Sequence, residues 1–421
     1  MNMKFERPRG TRDFSPEDMK SRDFLFQTMV QVFESYAYNH IETPVFENLE
    51  LFTAKSGDEI VEHLYTFKDK SERDLCLRPE MTASVARMYA NGLVHSRKPL
   101  KLYYFGPMYR YERPQKGRYR EFWQMGAELM GASSLESDAE IICLASDCMD
   151  KLDLKYNLRL SHLGVLRGIL SDSGVDEKTQ DKALGCIDRD EAEELKKIVD
   201  FQLISPLLGL SADSSKGFKE FSDVVLSSIK SFPSALKAFE ELKAVMGLIQ
   251  SLGKEFTVDL GMSRGLAYYT GMVFDISVEG LGAQNQVCGG GRYDKLIELF
   301  GGPPTPAVGF AFGFDRLGEA LKIQEKPVDV KGVDVIVVPV GDDVRAESFK
   351  IARDLRQAGL ASDYDLMGRK LKDVLSFASS AGIKYAVIVG PRELKDGEIV
   401  LRDMSSKKEK RVKIKELTRQ F

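Results

Sequence analysis

Apolar positions change their period several times along this chain, and each change marks an element. Residues 17–40 repeat apolar side chains at helical spacing behind a start signal, Ser15-Pro16-Glu17, so a helix is expected there. Residues 40–44 (HIETP) read as a strand stopped by Pro44. Residues 80–92 carry a second helical pattern that ends at Asn91-Gly92. From 100 to 111 (LKLYYFGPMYRY) the pattern becomes an aromatic-rich alternation, and 119–130 (YREFWQMGAELM) alternates again. A polar loop with Pro114 and Gly117 lies between them, so the pair predicts an antiparallel hairpin with a basic tip.

Residues 137–152 read as a helix and 156–162 as a strand. From about 163 to 250 the chain is rich in Lys, Glu, Ser and Leu at helical spacing, which predicts an inserted helical module. Strand-like sequence resumes at 255–279, and 308–321 runs from a strand into a helix. Residues 326–332 are charged and contain proline, as a linker does. Beyond them, strands at 333–339, 361–364 and 385–390 alternate with helices at 343–358 and 370–381, and edge strands at 398–402 and 410–415 finish the chain. That alternation predicts a small α/β domain over 333–421, after a first domain over 1–325.

Composition narrows the picture. With 43% hydrophobic and 29% charged residues the chain is ordinary for a folded protein. Its longest apolar runs, 335–340 and 385–389, are too short to span a bilayer. The opening MNMKFERPRG has no apolar signal region, so a cytoplasmic protein is expected. Five cysteines without a C-x-x-C pair and four dispersed histidines predict no structural metal site and buried free thiols. A net charge of −4 argues against binding nucleic acid through bulk charge. Yet residues 98–120 hold seven basic side chains against one acidic, and 402–419 eight against three, so local anion contacts remain open beside plain surface charge.

Four constellations carry candidate chemistry. In the hairpin, Arg110 and Glu112 follow the first strand, Arg113, Gln115, Lys116 and Arg118 fill the tip, and Gln124, Gly126 and Glu128 share one face of the return strand. A guanidinium aimed by a strand suits phosphate oxygens, although an exposed charged hairpin has the same composition. In Leu77-Arg78-Pro79-Glu80-Met81-Thr82, Glu80 and Thr82 either fix a ligand amino group or Thr82 caps a helix. In residues 263–271, Arg264-Gly265 precedes a tyrosine pair, Tyr268 and Tyr269; as strand residues they would show one phenol to each face. In residues 309–317, small and aromatic residues alternate into Asp315-Arg316, where the arginine can meet an adenine ring or a phosphate, or simply sit on a helix surface. There is no P-loop and no G-x-G-x-x-G after a strand, so a nucleotide would be held by arginines on an antiparallel sheet.

That combination resembles the class II aminoacyl-tRNA synthetases, and within them the histidyl-tRNA synthetase family, over nearly the whole chain. Residues 8–14 (PRGTRDF) look like the family's opening segment, Pro44 falls at motif 1, 105–128 is similar to motif 2, and 309–317 resembles motif 3. Residues 264–269 (RGLAYY) and 290–294 (GGRYD) look like its two histidine-specific signatures, and the domain after Val333 is similar to its anticodon-binding domain. The resemblance implies an α+β fold: an antiparallel-sheet catalytic core with a helical insertion, followed by an α/β anticodon-binding domain. It implies a histidine–tRNA ligase using ATP with Mg²⁺, acting on tRNA(His), as a homodimer. Arg110, Glu112, Arg264 and Arg316 would bind ATP, with Arg110 and Arg264 catalytic. Glu80, Thr82, Gln124, Glu128, Arg264, Tyr268 and Tyr269 would bind histidine, the imidazole falling to Glu128 and Tyr269. Gln115, Lys116 and Arg118 would approach the tRNA acceptor end. Ala267 stands where many members have Asp, and Trp123 where His or Tyr is frequent. The second reading is a non-catalytic regulatory subunit of histidine biosynthesis, a type that typically lacks the anticodon domain and the arginine signature.

Overall fold

The structure is a computed structural model that describes residues 5–56, 58–113, 119–214, 217–262, 268–282, 285–326 and 332–421, with side chains left aside at 55–60. Two compact units divide at Val328/Asp329.

In the first unit a nine-stranded sheet is built around the hairpin Leu100–Tyr109 and Glu121–Met130. Its order continues from the hairpin's return strand through Ala307–Gly313, Gln286–Arg292, Met272–Ser277 and Asn157–His162, all antiparallel. Short strands at Asn39–Ile41, Thr257–Asp259 and Ser211–Asp213 complete it. The opening helix, Pro16–Ser35, begins in a full capping box between Ser15 and Asp18. It ends five residues before the 17–40 pattern does, because Ala37 takes φ 62° and turns the chain into the first strand. The expected 80–92 helix spans Thr82–Met88 and then widens into a π turn, Tyr89–Leu93.

Period-two alternation gives the sheet two unlike faces. Met125, Ala127 and Leu129 join Val308, Phe310 and Phe312 in one apolar core, together with residues of the helices Leu135–Lys151, Leu163–Asp172 and Pro233–Ser251. The helical stretch after 163 therefore shares its core with the sheet, and its strand Ser211–Asp213 hydrogen-bonds into the sheet's edge. The other face presents Gln124, Gly126 and Glu128 on one strand, opposite Gly313, Ala311 and Gly309 on the next. Gly289 and Gly291 continue those rows. Beside these small rows, Leu102, Tyr104, Met108, Met130 and Val273 pack with Met81, Val85 and Tyr89 in a second apolar core, which seats the turn around Arg78 and Glu80.

Arg78 anchors that turn. It is almost wholly buried, and burial holds its guanidinium below the usual arginine range. Its Nη1 donates to Thr43 O at 2.7 Å and Pro44 O at 3.3 Å, and its Nε to Pro107 O at 3.0 Å. One cation so ties three chain segments together through their carbonyls. A three-stranded sheet of Phe46–Asn48, Asp74–Leu77 and Thr66–Lys68 leads into it.

The second unit is α/β. Strands Ser362–Tyr364, Val335–Pro339 and Tyr385–Val389 run parallel, and Glu398–Asp403 and Glu409–Lys413 add antiparallel edges. Helices Arg345–Gln357 and Leu371–Ser380 cover it. All five cysteines are buried free thiols. Among the described residues no helix is long and apolar enough to cross a membrane.

Arg78→Ala strips three carbonyls of a donor, that of Thr43 in a buried setting and those of Pro44 and Pro107 partly buried, and an orphaned buried acceptor costs about 1–3 kcal/mol. A thermal melt followed by circular dichroism should show Tm lowered by roughly 5–10 °C. An unchanged Tm would mean the turn is held by something else.

Candidate active site

The sheet face with the small rows is the floor of a cavity of about 420 Å³. Its floor is mostly backbone, at Gly289, Gly309, Ala311 and Gly313, so a flat ligand can lie close against the sheet. Eight of the expected site residues line it: Glu80, Thr82, Arg110, Glu112, Gln124, Tyr268, Tyr269 and Arg316. Sequence separations of up to 236 positions, from Glu80 to Arg316, thus close on one pocket.

The cations come from two strand ends. Arg110 follows the strand Leu100–Tyr109, with its backbone N–H on Arg120 O at 2.9 Å and its Nε on Pro79 O at 3.1 Å. Its guanidinium lies 5.1 Å from the centre of the Phe122 ring. Among described partners it is held by a carbonyl and a π face, so its charge stays available to a ligand. Arg316 stands in the first turn of the helix Phe314–Ile323 and donates from Nη1 to Gln286 O at 2.8 Å.

The sequence left open whether Thr82 caps its helix or joins Glu80 in fixing a ligand amino group. Thr82 does not cap its helix. Glu80 does, with its oxygens accepting the backbone N–H of Thr82 at 2.6 Å and of Ala83 at 3.1 Å. A carboxylate reaching two orphan N–H groups is a stronger acceptor there than a hydroxyl. The Thr82 hydroxyl engages Glu128 and Tyr104 instead. Gln124 Oε1 is buried and has no hydrogen-bond partner among the described residues, an acceptor that an N–H donor from a ligand would satisfy.

The tyrosine pair also departs from expectation. Tyr268 and Tyr269 precede the strand Met272–Ser277 in a turn, so alternation does not apply to them. Both rings line the cavity, 4.8 Å apart and tilted by 48°.

Glu128 lies behind the wall. It is fully buried, accepting from Tyr104 Oη at 3.4 Å and from the Tyr293 phenol. Tyr293 and Thr82 line the cavity in front of it. Burial pushes its carboxyl up to about 8, against the pull of the Tyr293 and Thr82 hydrogen bonds. Burial, and then neighbouring carboxylates or phenols, keep the Tyr104, Tyr268 and Tyr293 phenols well above their ordinary values, so they remain donors. Gly309 is opposite Glu128, and a Cβ there would run into its carboxylate.

Arg264 and the tip residues Gln115, Lys116 and Arg118 lie outside the described residues, as does Ala267. Sequence reading missed the roles of Tyr293, Phe122 and Asp315. Tyr293 closes the GGGRY run, and a large phenol after three glycines was the available signal.

Comparison with known proteins agrees with this geometry. A family model described as histidyl-tRNA synthetase matches residues 10–317, and one described as an anticodon binding domain matches 334–421. The chain is 43% identical to the histidine–tRNA ligase of Methanocaldococcus jannaschii, covering 99% of this chain and 100% of that protein. It is 44% identical to that of Archaeoglobus fulgidus, covering 97% of each. The crystal structure of histidyl-tRNA synthetase from Nostoc superposes with a TM-score of 0.82 at 25% identity, over 100% of this chain and 99% of that one. With an arginine-rimmed cavity on an antiparallel sheet, and with matches of this extent, the chain belongs to the histidyl-tRNA synthetase family.

Proposed function

We propose that the chain activates L-histidine with ATP, releasing pyrophosphate, and then passes histidine from the adenylate to the 3′ end of tRNA(His). The observation that carries this reading is the single cavity that gathers Arg110, Arg316, Glu80, Gln124 and the tyrosine pair on a backbone floor. Along the return strand, Gln124 and Glu128 are four residues, or roughly 13 Å, apart. The Arg110 end suits phosphates and the Glu128 end suits the imidazole. Between them, Gln124 Oε1, Glu80 and Thr82 suit the ammonium group.

In this reading the histidine carboxylate attacks the α-phosphate in line, and the requirement is alignment and charge neutralisation. Arg110 would hold the carboxylate and the α-phosphate. Arg264 would stabilise charge developing on that phosphorus, and Arg316 would take adenine or the γ-phosphate. Mg²⁺ would arrive on the ATP phosphates. Glu112, a pocket carboxylate beside Arg110, suits an ion that keeps most of its shell from phosphate and water. Glu128 and Tyr269 would read the imidazole, with the Tyr293 phenol sharing its place on the Glu128 carboxyl. Gln115, Lys116 and Arg118 would meet the acceptor end of tRNA.

By the same reading, 1–325 is the catalytic domain with its insertion at about 163–250, 326–332 the linker, and 333–421 the domain that binds the anticodon. A cytoplasmic homodimer paired near Pro44 is the proposed assembly. The exposed Phe46, edge-on to exposed Phe67 at 6.3 Å, supports an apolar contact there. The regulatory-subunit alternative is disfavoured by the anticodon-domain match and by the names of the full-length relatives.

Pyrophosphate exchange into ATP, run with each of the twenty amino acids, should respond to histidine alone; exchange with none would sink the catalytic reading. Arg264→Ala should lower the exchange kcat by roughly 10²–10³-fold while histidine binding by calorimetry changes far less. Full exchange in that variant would remove Arg264 from the mechanism. Glu128 offers a pH test. Its folded value, about 8, lies above the ordinary 4.5, so the folded state holds the extra proton between them. Stability should therefore fall as pH rises from about 4.5 to about 8, and Glu128→Gln should flatten that part of the Tm profile. Parallel profiles for the two proteins would contradict the raised value.

A further inference from the structure

The opening segment, residues 8–14, takes no part in the scheme above, yet it reaches the cavity wall. We propose that Arg12 is a positioning residue for the nucleotide half of the site, acting through Asp315 on Arg316; this rests on the reading of Arg316 as an ATP ligand. Asp315 is nearly buried and is shared by three segments. Its Oδ1 forms an ion pair with Arg12 Nη2 at 2.8 Å, without hydrogen-bond geometry, and accepts from Arg22 Nη1 at 2.5 Å, and its Oδ2 accepts the Trp123 backbone N–H at 2.9 Å. Asp315 is the residue before Arg316 in the first helical turn, and Trp123 the residue before Gln124. Fixing one carboxylate therefore fixes the backbone from which two ligand-facing side chains depart.

Two guanidiniums on one carboxylate leave one positive charge unneutralised. The protein spreads it over aromatic faces: Arg12 lies 3.6 Å from the Tyr119 ring centre, and Arg22 lies 4.1 Å from Phe14 and 5.0 Å from Phe314. Asp315 and Tyr119 both line the cavity, so the surplus charge sits where a polyphosphate would be drawn.

The segment is docked independently of Arg12. Gly10 takes φ +88°, and its carbonyl accepts Arg120 N–H at 2.9 Å. A Cβ at Gly10 would meet Arg120 Cγ at 2.8 Å, so the chain passes flat against the base of the hairpin. Arg120 in turn donates from Nε to Glu112 O at 3.1 Å. The N-terminal segment thus straps the hairpin stem to the helix that bears Arg316. Arg12 can be changed with the strap's backbone contacts intact.

The test is steady-state histidine-dependent pyrophosphate exchange on the full chain, with Arg12→Gln, Arg12→Lys and Arg316→Gln beside wild type, and Tm measured for each. Arg12→Gln should raise KM for ATP roughly tenfold while KM for histidine and Tm stay near wild type, and Arg12→Lys should recover part of the loss by keeping the charge on Asp315. If Arg316→Gln raises KM for ATP and Arg12→Gln does not, the positioning role fails and the ATP reading stands. If neither raises it, the reading of Arg316 fails and takes the proposal with it. If Arg12→Gln lowers Tm markedly and shifts both KM values and kcat together, Arg12 is a structural staple only, and the proposal is refuted.

Discussion

The Glu128 carboxyl sits in the middle of a sheet face, and it fits there because the residue across from it, Gly309, has no side chain. That vacancy is part of a wider pattern. On one face of the central strands the side chains are large and pack under helices; on the other the rows at Gly289, Gly291, Gly309, Ala311 and Gly313 are small, flanked by a second apolar cluster that includes Tyr104, Met130 and Val273. Period-two alternation turns one set of strands into both a core and a binding floor. Slipping the strand Ala307–Gly313 by one residue would turn the Phe310 ring toward the cavity, and slipping Glu121–Met130 would turn Glu128 toward the helical core. The register that stabilises the fold is thus the register that makes the site.

A floor of backbone leaves charge to the rim, and the rim arginines are steadied by carbonyls. Arg110 donates to Pro79 O, Arg316 to Gln286 O, and Arg78, deeper in the structure, to Thr43, Pro44 and Pro107. At Arg110 a carbonyl dipole orients the guanidinium without neutralising it as a carboxylate would. At the Asp315 cluster a carboxylate is used, and there it meets two arginines, so a net cation survives. Both devices favour an anionic ligand on a protein whose total charge is negative.

Most of the architecture could be read from periodicity. The hairpin, the helical stretch after 163 and the α/β alternation after 333 each left a long, repeated pattern. Which face a strand residue takes was also legible, since Gln124, Gly126 and Glu128 do share one. Depth was not. Alternation places Glu128 toward the cavity but says nothing of Tyr293, which arrives from a strand end 165 positions away to stand in front of it. That Glu80 and not Thr82 supplies the cap depended on side-chain reach, and the tyrosine pair on where a strand begins, both of which are set within one or two residues. Asp315 looked like part of a helix start, because its partners Arg12 and Arg22 lie some 300 positions earlier.

The buried polar cluster bears on selectivity in a way that its members singly do not. Glu128 accepts from both Tyr104 and Tyr293, so this cluster, unlike the Gln124 amide nearer the phosphate end, bears no large penalty from unpaired groups in a dry environment. Keeping the Glu128 proton removes the further cost of a buried charge. In the proposed reading, an imidazole joins this network by offering a ring N–H and a lone pair in exchange for part of a phenol's bond. An apolar side chain of similar size has neither to offer. It must either stop short of the cluster or break a bond there without replacing it, at about 1–3 kcal/mol for each group left unpaired. Rejection therefore grows with how far an impostor enters, and it needs no second site to remove mistakes.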